Sequence, residues 1–276
     1  MTVAQALAQA AALGLARLDA QLLMLHALGR AATDRAWLLA HDSDAVGQEA
    51  GAAFLALCER RASGQPLAYL VGEKEFYGLP LKVDPRVLVP RPETELLVDW
   101  SLELLRGQAE PRVIDLGTGS GAIALAIKQH FPQAQVEAVD QSEGALAVAG
   151  TNARSLGIDV RFARSSWLTG MAGRRFSLIV SNPPYVAEQD EHLAGLAHEP
   201  RSALAAGPDG LADLRAIVAQ APAHLQPGGW LLLEHGWDQA PAVQALLQAA
   251  GFSQVQSRRD LAGIDRCTGG RWPGLG

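Results

Sequence analysis

From Arg112 onward, short apolar runs alternate with amphipathic segments, and that alternation limits the folds open to this chain more than any other feature. Apolar runs at 112–116, 135–139, 160–163, 176–180 and 229–234 read as strands. Helices are expected over about 143–156, 209–221 and 242–250, with another running from the glycine loop after Leu116 to His130. The runs at 252–257 and 266–271 read as two arms of an antiparallel hairpin at a sheet edge. Such a pattern predicts an α/β domain with a largely parallel sheet, whose ligands bind at the carboxyl ends of the strands.

The residues before this point are organised differently. Four short alanine-rich helices are expected: about 4–13, 19–28, a short one following Thr33 and Asp34 with Trp37 and Leu38 apolar, and 48–61, with Gly14 and Gly29 as stops and Asp19 as a cap. They predict a small N-terminal bundle over 1–64. Five prolines (Pro66, Pro80, Pro85, Pro90 and Pro92) then mark a hairpin or linker over 65–92, with β-type runs at 67–71 and 81–83. A helix is expected to start near Glu93, and the third segment is 93–276.

Composition removes several classes of function. The chain carries 29 acidic against 23 basic side chains, for a net charge of -6, which argues against a broad nucleic-acid footprint. The first 80 residues hold six basic and eight acidic side chains, so no basic groove is evident there. Two cysteines, Cys58 and Cys267, make neither a disulfide framework nor a thiolate metal site. His192 and His198 lack spaced acids or thiols, so no metal is expected. The apolar stretches fall short of a membrane span, and the N-terminus lacks the basic start of a signal peptide. A cytoplasmic protein without membrane contact is expected, and nothing demands more than a monomer.

Two motifs carry chemistry. The first strand runs into Asp115-Leu116-Gly117-Thr118-Gly119-Ser120-Gly121. Glycines at 117, 119 and 121 permit a tight turn and close backbone approach to a ligand at a helix N-terminus. The dinucleotide spacing is not met, and a P-loop is excluded by the missing Gly-Lys-Ser/Thr. Asp115 suits an ammonium or a loop amide better than a pyrophosphate, which it would repel. Asp140 ends the second strand, where a carboxylate accepts hydrogen bonds from ribose hydroxyls, as in sites for NAD or S-adenosylmethionine. A bare turn, and an Asp that caps the next helix, are the alternatives.

The fourth strand leads into Ser181-Asn182-Pro183-Pro184-Tyr185. Here a polar side chain stands at the carboxyl end of a buried strand, two prolines bar the strand from continuing, and an aromatic face follows. This suits attack by a planar, weakly nucleophilic nitrogen. If Asn182 Oδ1 and the Pro183 carbonyl accept its two N–H groups, its lone pair is directed at an electrophile. Orientation then lowers the barrier, and the proton leaves after transfer. A proline loop exit with a helix-capping Asn is the alternative.

The chain resembles the HemK/PrmC family, the protein-(glutamine-N5) methyltransferases of peptide chain release factors. The resemblance rests on the helical start and on Gly-Gln-Pro-Leu-Ala-Tyr-Leu-Val-Gly, Phe-Tyr-Gly and Val-Leu-Val-Pro-Arg-Pro-Glu-Thr-Glu within residues 64–95. It also rests on residues 115–121 and on Asn182 to Tyr185. It implies a Rossmann-like class I S-adenosylmethionine-dependent methyltransferase sheet behind a small N-terminal helical bundle that contributes to substrate recognition. It implies that Gly117, Thr118, Gly119, Ser120 and Gly121 hold the methionine part of S-adenosylmethionine and Asp140 its ribose. Trp167 would lie against the adenine, unless it is plain core packing. Asn182 would bind the substrate glutamine next to the cofactor methyl, and Pro183, Pro184 and Tyr185 would complete that pocket. Asn182, Pro183 and Tyr185 are the expected catalytic set. Relatives often show Asp-Trp-Phe where this chain has Ser166-Trp167-Leu168, so a hydroxyl replaces an acid near the adenine amine.

The implied reaction methylates the Gly-Gly-Gln glutamine of class I release factors, with no requirement for nucleic acid. Three competitors share parts of the pattern: glutamine methylation of a ribosomal protein, adenine-N6 methylation of nucleic acid, and a noncatalytic cofactor-binding protein. Arg91 and Glu93 are expected to border the mouth of the site. The connection of about 25 residues after Tyr185, with Glu199-Pro200-Arg201, is expected to act as a lid or substrate-side wall.

Overall fold

A computed structural model describes residues 1–274, which divide after Glu73 into two compact units. In the first unit, α1 (Val3–Ala12), α2 (Arg17–Ala27), α3 (Arg35–Ala40), α4 (Gln48–Ala62) and α5 (Leu67–Val71) surround a core that includes Leu23, Leu25, Phe54, Cys58 and Leu70. Thr2 and Gln5 form a reciprocal capping box at the start of α1. Asp19 does not cap α2. Ala16 is the cap, and Asp19 sits in the first turn, where its carboxylate accepts from Arg61 Nε at 2.7 Å.

The expected β-type run at 67–71 is instead the single helical turn α5. Pro66 precedes it, Gly72 ends it at φ 77°, and Leu70 joins the helical core. Five mostly apolar residues carry no period that separates a turn of helix from a strand. The unit boundary accordingly falls after residue 73 rather than 64.

The second unit opens with the hairpin β1 (Glu73–Phe76) and β2 (Leu79–Lys82), then a 3-10 turn at Pro92–Thr94 and α6 (Glu95–Leu105). The alternating part follows as β3 (Arg112–Leu116), α7 (Ala122–His130), β4 (Gln135–Asp140), α8 (Glu143–Leu156), β5 (Arg161–Arg164) and β6 (Phe176–Ser181). It continues with α9 (Ala212–His224), β7 (Leu225–Glu234), α10 (Ala240–Ala249), β8 (Ser253–Arg259) and β9 (Asp265–Arg271). Asp209, expected inside a helix, lies in the turn before α9, where it accepts from Leu211 N at 3.1 Å.

The strands form a seven-stranded sheet in the order β5-β4-β3-β6-β7-β9-β8. All pairs from β5 to β7 are parallel, and β9 runs antiparallel to both β7 and β8. One apolar layer lies on each face. Trp100, Leu125 and Ile127 belong to one layer, and Ile217, Val243 and Phe252 to the other. Central strands buried on both faces explain why β3 and β6 read as continuous apolar runs rather than alternating ones.

Register places the site. Leu116 pairs with Val139 on one side and Ser181 on the other, and Ser181 pairs with Leu233. The glycine turn, Asp140, Asn182 and Glu234 therefore leave four neighbouring strands at one level of one sheet edge.

Candidate active site

A cleft of about 310 Å³ opens at this edge. Its floor is the glycine turn. Gly117 N and Thr118 N donate to Val139 O at 2.9 and 3.0 Å, which folds the turn against the end of β4. Gly117, Gly119 and Gly121 have φ of 70°, 55° and 86°, a region that side chains with a Cβ avoid. A Cβ on Gly119 would meet nothing within 4 Å, so this peptide is bare toward a ligand. Gly121 does not line the cleft: a Cβ there would press on Leu125 and Ala149, so its smallness serves helix packing.

Asp115 faces away from the cleft. It is fully buried, and its Oδ2 accepts from Thr118 Oγ1 at 2.6 Å. Burial pushes its carboxyl up to about 7, against the opposing pull of Thr118 and the Ala124 amide. Of the two partners its sequence suggests, it takes loop groups. Asp140 does line the cleft. Its Oδ2 accepts from Gly119 N at 3.0 Å and its Oδ1 from Ser142 N at 2.8 Å. Ser142, not Asp140, caps α8. Burial raises the Asp140 carboxyl above the usual range, and these backbone donors hold it down.

Trp167 stands over the turn at φ 50°, and a Cβ on Gly117 would lie 3.2 Å from the indole ring. Its loop is tied from both sides: Ser165 Oγ donates to Trp167 O at 2.9 Å, and Leu168 N donates to Gln220 Oε1 at 3.0 Å. Ser166 lines the cleft, yet a carboxylate is present at this wall. Asp213, from α9, lines it too, near the Trp167 side chain, which lowers its carboxyl against the upward push of burial. Nothing in the local sequence around Ser166 foretells Asp213, which arrives from 47 positions further along the chain.

At the end of β6, Ser181 Oγ donates to Leu116 O at 2.7 Å and locks the two motifs together. Asn182 and Pro184 line the cleft, whereas Pro183 is buried behind them. Tyr185 does not line it either. Its hydroxyl is 3.5 Å from Glu234 Oε1, and its carbonyl accepts from Gln239 Nε2 at 3.0 Å. Burial and the charge of Glu234 raise the phenol. Gly210 packs so closely on the Tyr185 carbonyl that any Cβ there would collide with it.

The proline-rich segment forms the opposite wall, with Arg86, Val87, Leu88, Pro90, Arg91 and Thr94 on the cleft. Asn182 Nδ2 donates to Thr94 Oγ1 at 3.1 Å. The connection after Tyr185 lies against this wall. Buried Glu199 pairs with Arg91 and accepts from Val89 N at 3.0 Å, and Pro200, Ser202 and Ala203 reach the cleft. Glu93 is not among the lining residues. His192 is exposed and paired with Asp190, and among the described residues no three His, Cys, Asp or Glu side chains gather as a metal site.

Solved structures share this architecture. A methyltransferase from Pyrococcus furiosus superposes with a TM-score of 0.53 at 20% identity, over 72% of this chain and 90% of that one. A Thermus thermophilus 16S rRNA methyltransferase, solved with AdoMet and guanosine, gives 0.54 at 22% identity, over 72% of this chain and 49% of its own. Fold and cleft, with the match of residues 94–257 to the family described as Methyltransferase small domain, define a class I S-adenosylmethionine-dependent methyltransferase. The bare turn over Gly117 to Ser120 and the acid at Asp140 fit that cofactor.

Residues 2–72 match the family described as PrmC N-terminal domain. The release factor glutamine methyltransferase of Bordetella pertussis (strain Tohama I) is 53% identical over 260 residues, 93% of this chain and 95% of its own. That of Xylella fastidiosa (strain Temecula1) is 51% identical over 273 residues, 98% of each chain. The chain belongs to the HemK/PrmC family, the release factor glutamine methyltransferases.

Proposed function

We infer that this enzyme transfers the methyl group of S-adenosylmethionine to the side-chain nitrogen of the glutamine in the Gly-Gly-Gln motif of class I release factors. The observation that carries this reading is that Asn182 lines the same cleft as Gly117 to Ser120 and Asp140. An amide held there lies beside whatever the turn holds.

When bound, S-adenosylmethionine supplies an electrophilic methyl on a cationic sulfonium. The rest is the work of this chain. Gly117, Thr118, Gly119 and Ser120 offer backbone to the methionine part, Asp140 offers its carboxylate to the ribose, and Trp167 with Asp213 walls the adenine. Gly121 keeps the turn closed on its helices and touches no ligand. Asn182 Oδ1 and the Pro183 carbonyl accept the two N–H groups of the glutamine amide, which turns its lone pair toward the methyl. Pro184 shapes the pocket for a neutral side chain, and Tyr185 supports it from behind through its contact with Glu234. The nitrogen gives up its proton after methylation, so no base is needed before attack. The products are N5-methylglutamine and S-adenosylhomocysteine.

The N-terminal helical unit, residues 1–73, recognises the release factor outside the pocket. The enzyme works as a cytoplasmic monomer and requires no nucleic acid. Among the described residues no helix is long and apolar enough to cross a membrane. The test is a parallel incubation with labelled S-adenosylmethionine and three acceptors: a class I release factor, ribosomal proteins and adenine-containing DNA. Label on the release factor alone, without ribosomes present, supports the reading. Label on either other acceptor and none on the release factor contradicts it.

A further inference from the structure

Behind Asn182 lies a chain of side chains that the reaction above leaves unused. Asn182 Nδ2 donates to Thr94 Oγ1 at 3.1 Å. Thr94 is buried, and its hydroxyl stands near the Glu234 carboxylate, where it favours the ionised form. Glu234, the last residue of β7, is 2% exposed. Its Oε1 lies 3.5 Å from the Tyr185 hydroxyl, and its Oε2 has no hydrogen-bond partner among the described residues.

The donor and acceptor inventory of these groups allows one arrangement. A hydroxyl carries a single proton, and an ionised carboxylate only accepts. With Glu234 ionised, the Thr94 proton goes to Glu234, and the Thr94 oxygen must accept from its other neighbour. That neighbour is the Asn182 amide, which donates only through Nδ2. Asn182 Oδ1 is thereby turned away from Thr94 and left to the cleft. An incoming primary amide needs an acceptor there; a reversed Asn182 would set N–H against N–H.

We propose that Glu234 and Thr94 are positioning residues which fix the Asn182 amide with its oxygen toward the substrate, and that the ionised form of Glu234 is the one that does so. This rests on Asn182 being the acceptor for the substrate amide, as argued above.

Protonation undoes the arrangement. A neutral Glu234 can donate to Thr94, whose own proton then becomes available to Asn182 Oδ1, and the polarity of the chain reverses. Burial pushes the Glu234 carboxyl up to about 7; the Thr94 hydroxyl lowers it, nearby Glu93 raises it, and Arg266 and Tyr185 lower it. The remaining neighbours are the buried Cys267 thiol, which pairs in register with Glu234 on β9, and His235, whose ring is engaged by Thr268 Oγ1 at 2.7 Å. The substrate amide does not titrate in this range, so an acid limb near pH 7 reports on the enzyme.

The experiment is a profile of kcat against pH from about 5.5 to 9, with a release factor as substrate, for wild type, Glu234→Gln, Thr94→Val and Thr94→Ser. Isothermal titration with S-adenosylmethionine accompanies each. The wild type should show an acid limb near pH 7. Glu234→Gln and Thr94→Val should lose kcat on the order of 10- to 100-fold, keep their affinity for S-adenosylmethionine, and show no such limb. Thr94→Ser, which keeps the hydroxyl, should recover most of kcat and the limb. If Glu234→Gln does not fold, the Thr94 pair decides. Equal rates for Thr94→Val and Thr94→Ser, or a wild-type limb in Glu234→Gln, would overturn the proposal. A wild type that methylates no release factor would overturn the functional reading itself, and would be seen before any variant is compared.

Discussion

Asp140 divides its carboxylate between two backbone donors, Gly119 N on the turn and Ser142 N at the head of α8. The Gln141 amide also lowers its pKa as a backbone donor; a carboxylate has about four acceptor positions, so capacity remains for a ligand in the cleft. The same group therefore shapes the turn and offers itself to the ribose. Replacing Asp140 with Ala removes both, and a lost hydrogen bond to a charged group costs about 1.5–3 kcal/mol. Titration calorimetry should show affinity for S-adenosylmethionine falling by roughly 10- to 100-fold. An affinity within twofold of wild type would remove Asp140 from the cofactor site. Asp140 and Asn182 are legible in the sequence because each ends a strand that the sequence itself marks. Thr94, Asp213 and Glu234 are not: the first two reach the cleft and Glu234 stands behind it, each from a remote segment, and only the register and the packing of α6, α9 and β7 bring them in.

At the scale of elements, one side chain of α8 ties the end of the hairpin β1–β2 to the glycine turn. Asn152 Oδ1 accepts from Lys82 N at 2.8 Å, while Nδ2 donates to Lys82 O at 3.0 Å and to Ser120 O at 2.9 Å. One buried amide thus pins β2 and the rear of the glycine turn to the same helix. Substitution by Leu leaves three backbone groups without partners, and each unsatisfied buried group costs about 1–3 kcal/mol. Urea unfolding of Asn152→Leu should show a loss of about 2–4 kcal/mol. A loss below about 0.5 kcal/mol, the range of ordinary surface changes, would mean that the hairpin is held otherwise. Strands β3 to β7 and their helices are legible because length and flanking glycines separate them. The turn α5 is not, because its apolar run is too short to have a period. In the same way an Asn in mid-helix reads as surface until its three partners are seen.

For the whole molecule, the site carries a cost that pH makes visible. Asp115 and Glu234 titrate near 7 when folded, raised by burial from 3.8 and 4.5. Between those values the folded chain holds protons that the unfolded chain has released. Their contribution is therefore complete below pH of about 4 and is lost as pH rises through about 7. His235 opposes them: burial lowers its pKa, so the unfolded chain binds the extra proton and stability falls as pH drops below 6.5. Carboxylates held low by arginine, such as Asp84 and Asp209, matter only below pH of about 4. Two groups outweigh one, and the protein should be about 2 kcal/mol more stable at pH 6 than at pH 8. Urea titrations at the two pH values check this, and equal or greater stability at pH 8 would refute it. Where stability is greatest Glu234 is protonated, so the ionised form used for positioning is held at the expense of stability.

The central claim is that Asn182 presents a release factor glutamine to the methyl group. It is tested most directly by peptide-mapped mass of a class I release factor after incubation with S-adenosylmethionine and either wild type or Asn182→Ala. The account predicts one added methylene on the Gly-Gly-Gln glutamine with wild type. With the variant it predicts a rate lower by on the order of 100-fold, while S-adenosylmethionine binding is retained. A methylene elsewhere, or an undiminished rate from Asn182→Ala, would contradict it.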